Sequence, residues 1–295
     1  MKYSICTTVY NGAPRLRASL DSLLKYINLE EFEIVIVDSE STDGTQEILK
    51  EYASKYPNFK VIEKRCKRGR GRQIAFENSE GEYIIQVDLD TIYYPQWWEF
   101  IRAYEKWNGK GKYALQAVYS GIYPRHLLEK VGGWRDLQWA EDWDLWWRLI
   151  EINAFKWYPL VTGENWEVKE KEKRQVRSIF KVVYRKFINE RDTFIARPEY
   201  SLKARLAQVK SWAPKRTYYI FWVPLVTFAK LASISKTNKR LDPQTVMKKW
   251  LSCYVDFKID GKMLYNFVFI PTPTNIKMLH YRGGDTHEHP VYRFV

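Results

Sequence analysis

Two aspartates, Asp88 and Asp90, directly follow the apolar run Tyr83-Ile84-Ile85-Gln86-Val87. Residues two apart in extended backbone point the same way, so the two carboxylates share a face. Like charges at that range raise each other's pKa unless a cation separates them. Mg²⁺ takes octahedral oxygen ligands and is usually held by one or two carboxylates plus substrate phosphates. The pair therefore reads as a metal–diphosphate site, and the competing reading is a solvated loop pair. Other polar groups end predicted strands: Tyr10-Asn11 after residues 2–9, and Asp38 after residues 32–38. Glu141, Asp142 and Asp144 open a Trp-rich helix expected over 140–153, where a helix dipole favours acids. Gly69 and Gly71 have no third glycine at Ile74, and no GxxxxGK[ST] occurs. Dinucleotide oxidoreductases and P-loop NTPases are therefore poorly supported.

The elements that must position these groups alternate in the first half of the chain. Strands are expected over 2–9, 32–38, 59–63 and 83–88. Between them, Leu16, Leu20, Leu23, Leu24 and Ile27, then Ile48, Leu49, Tyr52, Ala53 and Tyr56, recur at helical spacing. A further helix opens at Pro95. This rhythm predicts an α/β fold with a mostly parallel, Rossmann-like sheet flanked by helices, whose ligands bind at the carboxyl ends of the strands. Beyond Pro159 the strand signals fade. Residues 167–191 carry an amphipathic helical pattern with Ile179, Phe180, Val183, Tyr184 and Phe187. Two regions are expected: 1–165, and a basic, aromatic, largely helical 166–295.

The chain has 295 residues, 45% of them hydrophobic, so it buries a real core. Its three cysteines form no CxxC pair, which argues against a disulfide module or a cysteine zinc site. With no signal peptide visible, a cytoplasmic rather than secreted setting is expected. The net charge of +13 is uneven: 21 Lys+Arg against 22 Asp+Glu in 1–150, and 27 against 13 in 151–295. A +14 half suggests a polyanionic partner: nucleic acid, an anionic membrane surface or a phosphorylated substrate. Nucleic acid is the weakest of these, because no zinc-finger or RNP-like motif is present. Residues 64–72 hold six cations in nine positions, either a phosphate-facing loop or an exposed basic turn. The apolar stretch 218–229 is interrupted by Pro224, and twelve residues are too short to span a bilayer. It suits either a membrane interface, giving peripheral association, or a buried helix.

The order of motifs resembles the family 2 glycosyltransferases of the GT-A fold. Thr8-Val9-Tyr10-Asn11-Gly12 looks like the family's opening turn, and Val37-Asp38-Ser39-Glu40-Ser41-Thr42-Asp43-Gly44-Thr45 like its VDDGSTDGT segment. Gly71-Arg72-Gln73-Ile74-Ala75 resembles the stretch before the fourth strand. Asp88-Leu89-Asp90 resembles the DxD motif, Gly132-Gly133-Trp134 the GGF element, and Glu141-Asp142 the ED pair. The resemblance covers roughly residues 1–160.

It implies a metal-dependent, inverting transfer of a sugar from a nucleotide diphosphate, such as a UDP- or GDP-sugar, to an acceptor hydroxyl. The cofactor implied is Mn²⁺ or Mg²⁺. By similarity Asp90 is the principal metal ligand, and Asp88 contacts the metal or the donor ribose, with Leu89 between them. Asp38 accepts from the base, Thr8 and Tyr10 line the nucleotide pocket, and Arg72 lies near the diphosphate or the base. Asp142 is the general base, Glu141 contacts the acceptor, and Trp139 is an acceptor-stacking candidate. His287 or His289 is an alternative further metal ligand from the tail. The implied acceptor is a glycan, lipid-linked or protein-linked. Two departures stand out: Ser39 replaces the second acid of the VDD motif, and QxxRW is absent, which argues against a processive synthase. A non-catalytic nucleotide-sugar-binding module and a nucleic-acid-binding protein are the rival classes.

Overall fold

The computed structural model describes residues 1–107, 111–165 and 179–255, and four short strands beyond them, 258–259, 262–263, 268–271 and 276–279. His280, His287 and His289 lie outside the described residues.

The chain opens β1 (Tyr3–Val9), α1 (Ala13–Leu24), β2 (Phe32–Asp38), α2 (Thr45–Lys55), β3 (Phe59–Glu63), α3 (Arg68–Glu77) and β4 (Tyr83–Val87). It continues β5 (Thr91–Tyr93), α4 (Pro95–Trp107), β6 (Ala114–Val118), β7 (Ser120–Pro124), α5 (Arg125–Val131), α6 (Glu141–Glu151), β8 (Phe155–Val161) and β9 (Gly163–Asn165). Seven strands form one sheet in the order β3-β2-β1-β4-β7-β6-β8. Only β7 runs against the rest. The chain winds from β1 outward to β3, then returns across β1 to place β4. The switch point between β1 and β4 is where an open α/β sheet binds ligands.

Strand alternation divides the core between the two sheet faces. Ile5, Ile34, Ile36 and Ile85 face α1, α2 and α4, packing on Leu16, Leu20, Leu49, Trp97 and Phe100. Cys6, Val35, Val37 and Ile84 face α3, α5 and α6, packing on Ile74, Leu128, Leu145 and Trp147. β2 is buried along its whole length, as its continuous apolar run predicts.

Four helices follow: α7 (Ile179–Ala196), α8 (Leu202–Trp212), the helical run α9 (Lys215–Lys236) and α10 (Pro243–Leu251). α7, α8 and α9 share their own core of Phe194, Tyr200, Val209, Leu225, Val226 and Ala229. α10 returns to the sheet, where Val246 and Trp250 join the second face's core. The chain after it runs beside β8, with Trp157 N–H donating to Cys253 O at 2.7 Å.

α9 corrects the length read for 218–229. It is one helical run of 22 residues, long and apolar enough to cross a membrane by length and composition. Pro224 does not end it, because a π-helical turn, Tyr218–Trp222, immediately precedes the α-helical continuation that carries the proline near its start. The amphipathic pattern of 167–191 is a helix from Ile179 on; residues 166–178 lie outside the described residues.

Candidate active site

Arg72 is the centre of the cleft. It projects from α3, is 3% exposed, and binds three carboxylates. Its Nη2 donates to Asp88 Oδ1 at 2.8 Å, and its Nη1 to Glu141 Oε1 at 2.9 Å and to Asp142 Oδ1. Asp88, just after β4, and the acid pair opening α6 thus meet on one guanidinium, with Asp88 and Asp142 lying 16 and 70 positions from Arg72 in sequence. Arg72 Nε is buried with no acceptor. The position of α3 depends on Gly71: a Cβ there would collide with Thr8 Oγ1 on β1. Gly69 lies equally close to the backbone of Arg135 and Leu137. The helix therefore sits against the strand, and Arg72 reaches the strand ends.

Glu141 is 2% exposed, and burial pushes its carboxyl up to about 7. Neighbouring Asp142 pushes the same way, while Arg72 and then Arg68, whose Nη1 is 3.6 Å from Oε1, oppose it. Asp142 Oδ1 also accepts from Trp134 Nε1 at 3.3 Å, so the carboxylate is held from two sides. Asp88 lies at the rim. Desolvation holds its carboxyl above the usual carboxylate range against the pull of Arg72, with Asp142 and Asp90 adding to the rise. The Asp88 N–H donates to Tyr93 Oη at 2.8 Å, and that hydroxyl donates to Tyr119 O at 3.0 Å.

β4 ends at Val87 and residues 89–90 form a turn, so the two aspartates are not placed by extended backbone as the sequence predicts: Asp88 bonds to Arg72, and Asp90 has separate partners. The Asp90 side chain is 48% exposed, and Oδ2 accepts from Asn165 Nδ2 at 3.1 Å, with Arg15 Nη1 at 3.9 Å. Leu89 between them does not face the cleft: its side chain is packed in the first face's core, so it offers only backbone. Asp38 is buried at the end of β2 and accepts from Ser41 N at 3.0 Å and from Gln46 Nε2 at 3.1 Å. Thr8 Oγ1 donates to Val37 O at 2.9 Å, and Tyr10 stands exposed at the turn after β1. Asn11 takes φ 50°, and its side chain and backbone tie the turn to Ser41 and Thr42.

Trp139 is also exposed. The loop carrying it is fixed by buried Asp192 of α7, whose Oδ2 accepts from Gln138 N at 2.8 Å and Trp139 N at 3.1 Å. A cavity of about 260 Å³ opens beside it, lined by Trp139, Lys186, Asn189, Thr193, Trp212 and Trp222 among others. Trp146 and Trp147 are core, and Asp144 is fully buried, paired with Arg148 at 2.8 Å and Arg135 at 3.2 Å. Of the six cations in 64–72, Arg72 and Arg68 face the acids, while Lys67 and Arg70 form surface pairs with Asp136 and Glu77. The roles of Asn165, Arg15, Tyr93 and Asp192 have no signal in sequence, because each acts through a partner brought up by folding.

Among the described residues no group of three or more His, Cys, Asp or Glu side chains forms a self-sufficient metal cluster. Half-exposed Asp90 offers a carboxylate of the kind that Mg²⁺ or Mn²⁺ takes together with substrate phosphates, while Asp88 Oδ1 is held by Arg72.

The glycosyl transferase family 2 model matches residues 4–166, which carry nearly the whole sheet as well as Arg72, Asp88, Asp90, Glu141 and Asp142. The chain belongs to glycosyl transferase family 2. Within the family, it is 40% identical over 94 residues to a poly(ribitol-phosphate) beta-glucosyltransferase of Bacillus spizizenii, an overlap of 30% of this chain and 15% of that protein. It is 36% identical over 94 residues to the poly(ribitol-phosphate) beta-N-acetylglucosaminyltransferase TarS of Staphylococcus aureus, covering 30% and 16%. The aligned stretch thus spans about a sixth of these relatives' length. Among solved structures, residues 1–349 of S. aureus TarS in complex with UDP-GlcNAc match with a TM-score of 0.49 and 17% identity, over 95% of this chain and 99% of that one. The mixed sheet described above is the α/β architecture that the family motifs implied.

Proposed function

We propose that this protein is a metal-dependent, inverting glycosyltransferase that moves a sugar from a nucleotide-diphosphate donor to an acceptor hydroxyl. The observation that carries the reading is the convergence of Asp88 and the Glu141–Asp142 pair on Arg72 at the switch point of a family 2 sheet. In this reading residues 1–165 hold donor and base, and 166–295 serve acceptor binding. Asp38, Thr8 and Tyr10 would receive the nucleoside of a UDP- or GDP-sugar, and Asp90, with Asp88, would hold the Mn²⁺ or Mg²⁺.

The electrostatics support a required cation. Three carboxylates share one guanidinium, so a diphosphate entering alone would meet excess negative charge. When bound, the metal neutralises the leaving diphosphate. Asp142 takes the proton from the acceptor hydroxyl. The hydroxyl oxygen then forms its bond to the anomeric carbon as the bond to the diphosphate breaks, and the nucleoside diphosphate departs with that electron pair. One displacement inverts the centre. Trp139, on the loop that leads into α6, offers an aromatic face to an acceptor glycan, lipid-linked or protein-linked.

The test is nucleotide-sugar hydrolysis and transfer with Mn²⁺ or Mg²⁺ across UDP- and GDP-sugars. Activity is expected to vanish in Asp90→Ala and Asp142→Asn while thermal melting stays cooperative. Full activity in both variants refutes the assignment.

A further inference from the structure

α7 begins with Ile179, Phe180, Val183 and Tyr184, which lie on one helical face. That face is unpartnered among the described residues: Ile179 is 73% and Phe180 82% exposed. α9 carries a second such stripe in Ile220, Phe228, Leu231 and Ile234, each 58–69% exposed. Lys186 rests on the Trp222 ring and Lys230 on the Phe194 ring, so the two helices run side by side in the same direction. The stripe from Ile220 to Ile234 is about 20 Å long at 1.5 Å per residue. Exposed apolar faces of this extent mark interaction surfaces.

The charge around them selects the partner. Residues 179–255 contain 16 Lys+Arg and four acids. All four acids are used internally: Glu190 pairs with Arg205, Asp192 with Arg191, Glu199 with Arg197, and Asp242 caps α10 through Thr245 N. Lys181, Arg185, Lys203, Lys210, Lys215 and Arg216 remain solvent-facing. Exposed apolar stripes on helices with this surplus of exposed cations match an anionic bilayer interface. A nucleic acid backbone would leave the apolar stripes in water.

We propose that α7 and α9 dock the protein on the surface of an anionic membrane, with α9 lying in the interface rather than crossing it. α9 meets the length criterion for a span, but its opposite face is built into the protein. Leu225, Val226, Ala229 and Ser233 are buried, the first three in one core with Phe194, Tyr200 and Val209. Crossing the bilayer would pull that face off α7 and α8 and expose their ion pairs to lipid. The inference rests on these helices alone and stands whatever reaction the cleft performs.

The experiment is vesicle sedimentation of the full chain, comparing phosphatidylcholine vesicles with vesicles containing 30 mol% phosphatidylglycerol. Binding is expected to be at least tenfold stronger to the anionic vesicles and to fall sharply in 0.5 M salt. The triple variant I220E/F228E/L231E loses at least tenfold. If that variant melts early, K181E/R185E/K210E, on exposed positions, carries the same expectation. A carbonate wash at pH 11 is expected to release the wild type. Failure to bind either vesicle, equal binding by folded variants, or retention after the wash each overturns the proposal. Variant-sensitive dimerisation without vesicle binding overturns it as well, assigning the face to a second copy of the chain.

Discussion

Glu141→Gln isolates the cost of ionising a buried acid beside Asp142. The folded protein raises this carboxyl from 4.5 to about 7. A raised carboxyl means that the fold prefers the protonated form. The stability this group contributes is fully present below pH 4.5 and is lost as the pH rises to 7. At 1.36 kcal/mol per pH unit, the loss comes to about 3 kcal/mol. Glutamine is close in shape and stays neutral, so it pays nothing for ionisation. The variant's stability relative to wild type is therefore expected to rise between pH 4.5 and 7 and then level off about 3 kcal/mol higher. The attraction of Arg72 for the ionised carboxylate is already contained in that raised value, so the slope is the diagnostic quantity. Urea denaturation of both proteins at half-unit steps from pH 4 to 8 measures it. A flat difference curve refutes the reasoning, and a falling one means that Arg72 and Arg68 outweigh burial.

Arg72→Met leaves three carboxylates around a lost cation and should cost about 3–5 kcal/mol, read as a lower urea midpoint with unchanged m; a loss under about 1 kcal/mol contradicts the packing described. Gly71→Ala drives a methyl into Thr8 and should lower stability by about 1–3 kcal/mol, with Tm falling by several degrees in calorimetry. Asp192→Ala frees the Gln138 and Trp139 amides, so KM for the acceptor should rise severalfold while nucleotide affinity by calorimetric titration stays put. Chelation with EDTA should abolish sugar transfer, and excess Mn²⁺ should restore it without any change in the far-ultraviolet circular dichroism.

β1, β2, β3 and β4 were legible because each is a short apolar run, and β2 ends on Asp38 as the register requires. α3 was not legible as a helix. Gly69, Gly71 and three arginines within Arg68–Glu77 give no continuous apolar face. Those glycines serve contacts with Thr8 and Leu137 that only the tertiary structure reveals. β6 and β7 escaped for a related reason: buried Gln116 breaks the apolar signal, yet its amide donates to the Ala117 and Ser120 carbonyls. The order of acidic motifs identified which residues could share a cleft. It did not reveal that Arg72 turns inward among them, because a guanidinium facing a phosphate and one facing carboxylates look identical in sequence. Leu89 illustrates the converse, since its place inside a recognised motif said nothing about its burial.

The guanidinium at position 72 also dictates an order of events as the polypeptide emerges from the ribosome. Its helix is complete at Glu77, 64 residues before Glu141, and thus well before Glu141 and Asp142 exist to receive it. Until then the nascent sheet carries a cation whose pocket is only half walled. A fragment ending before α6 should consequently remain loosely packed and prone to chaperone capture, with the reaction centre closing as one of the last acts of maturation.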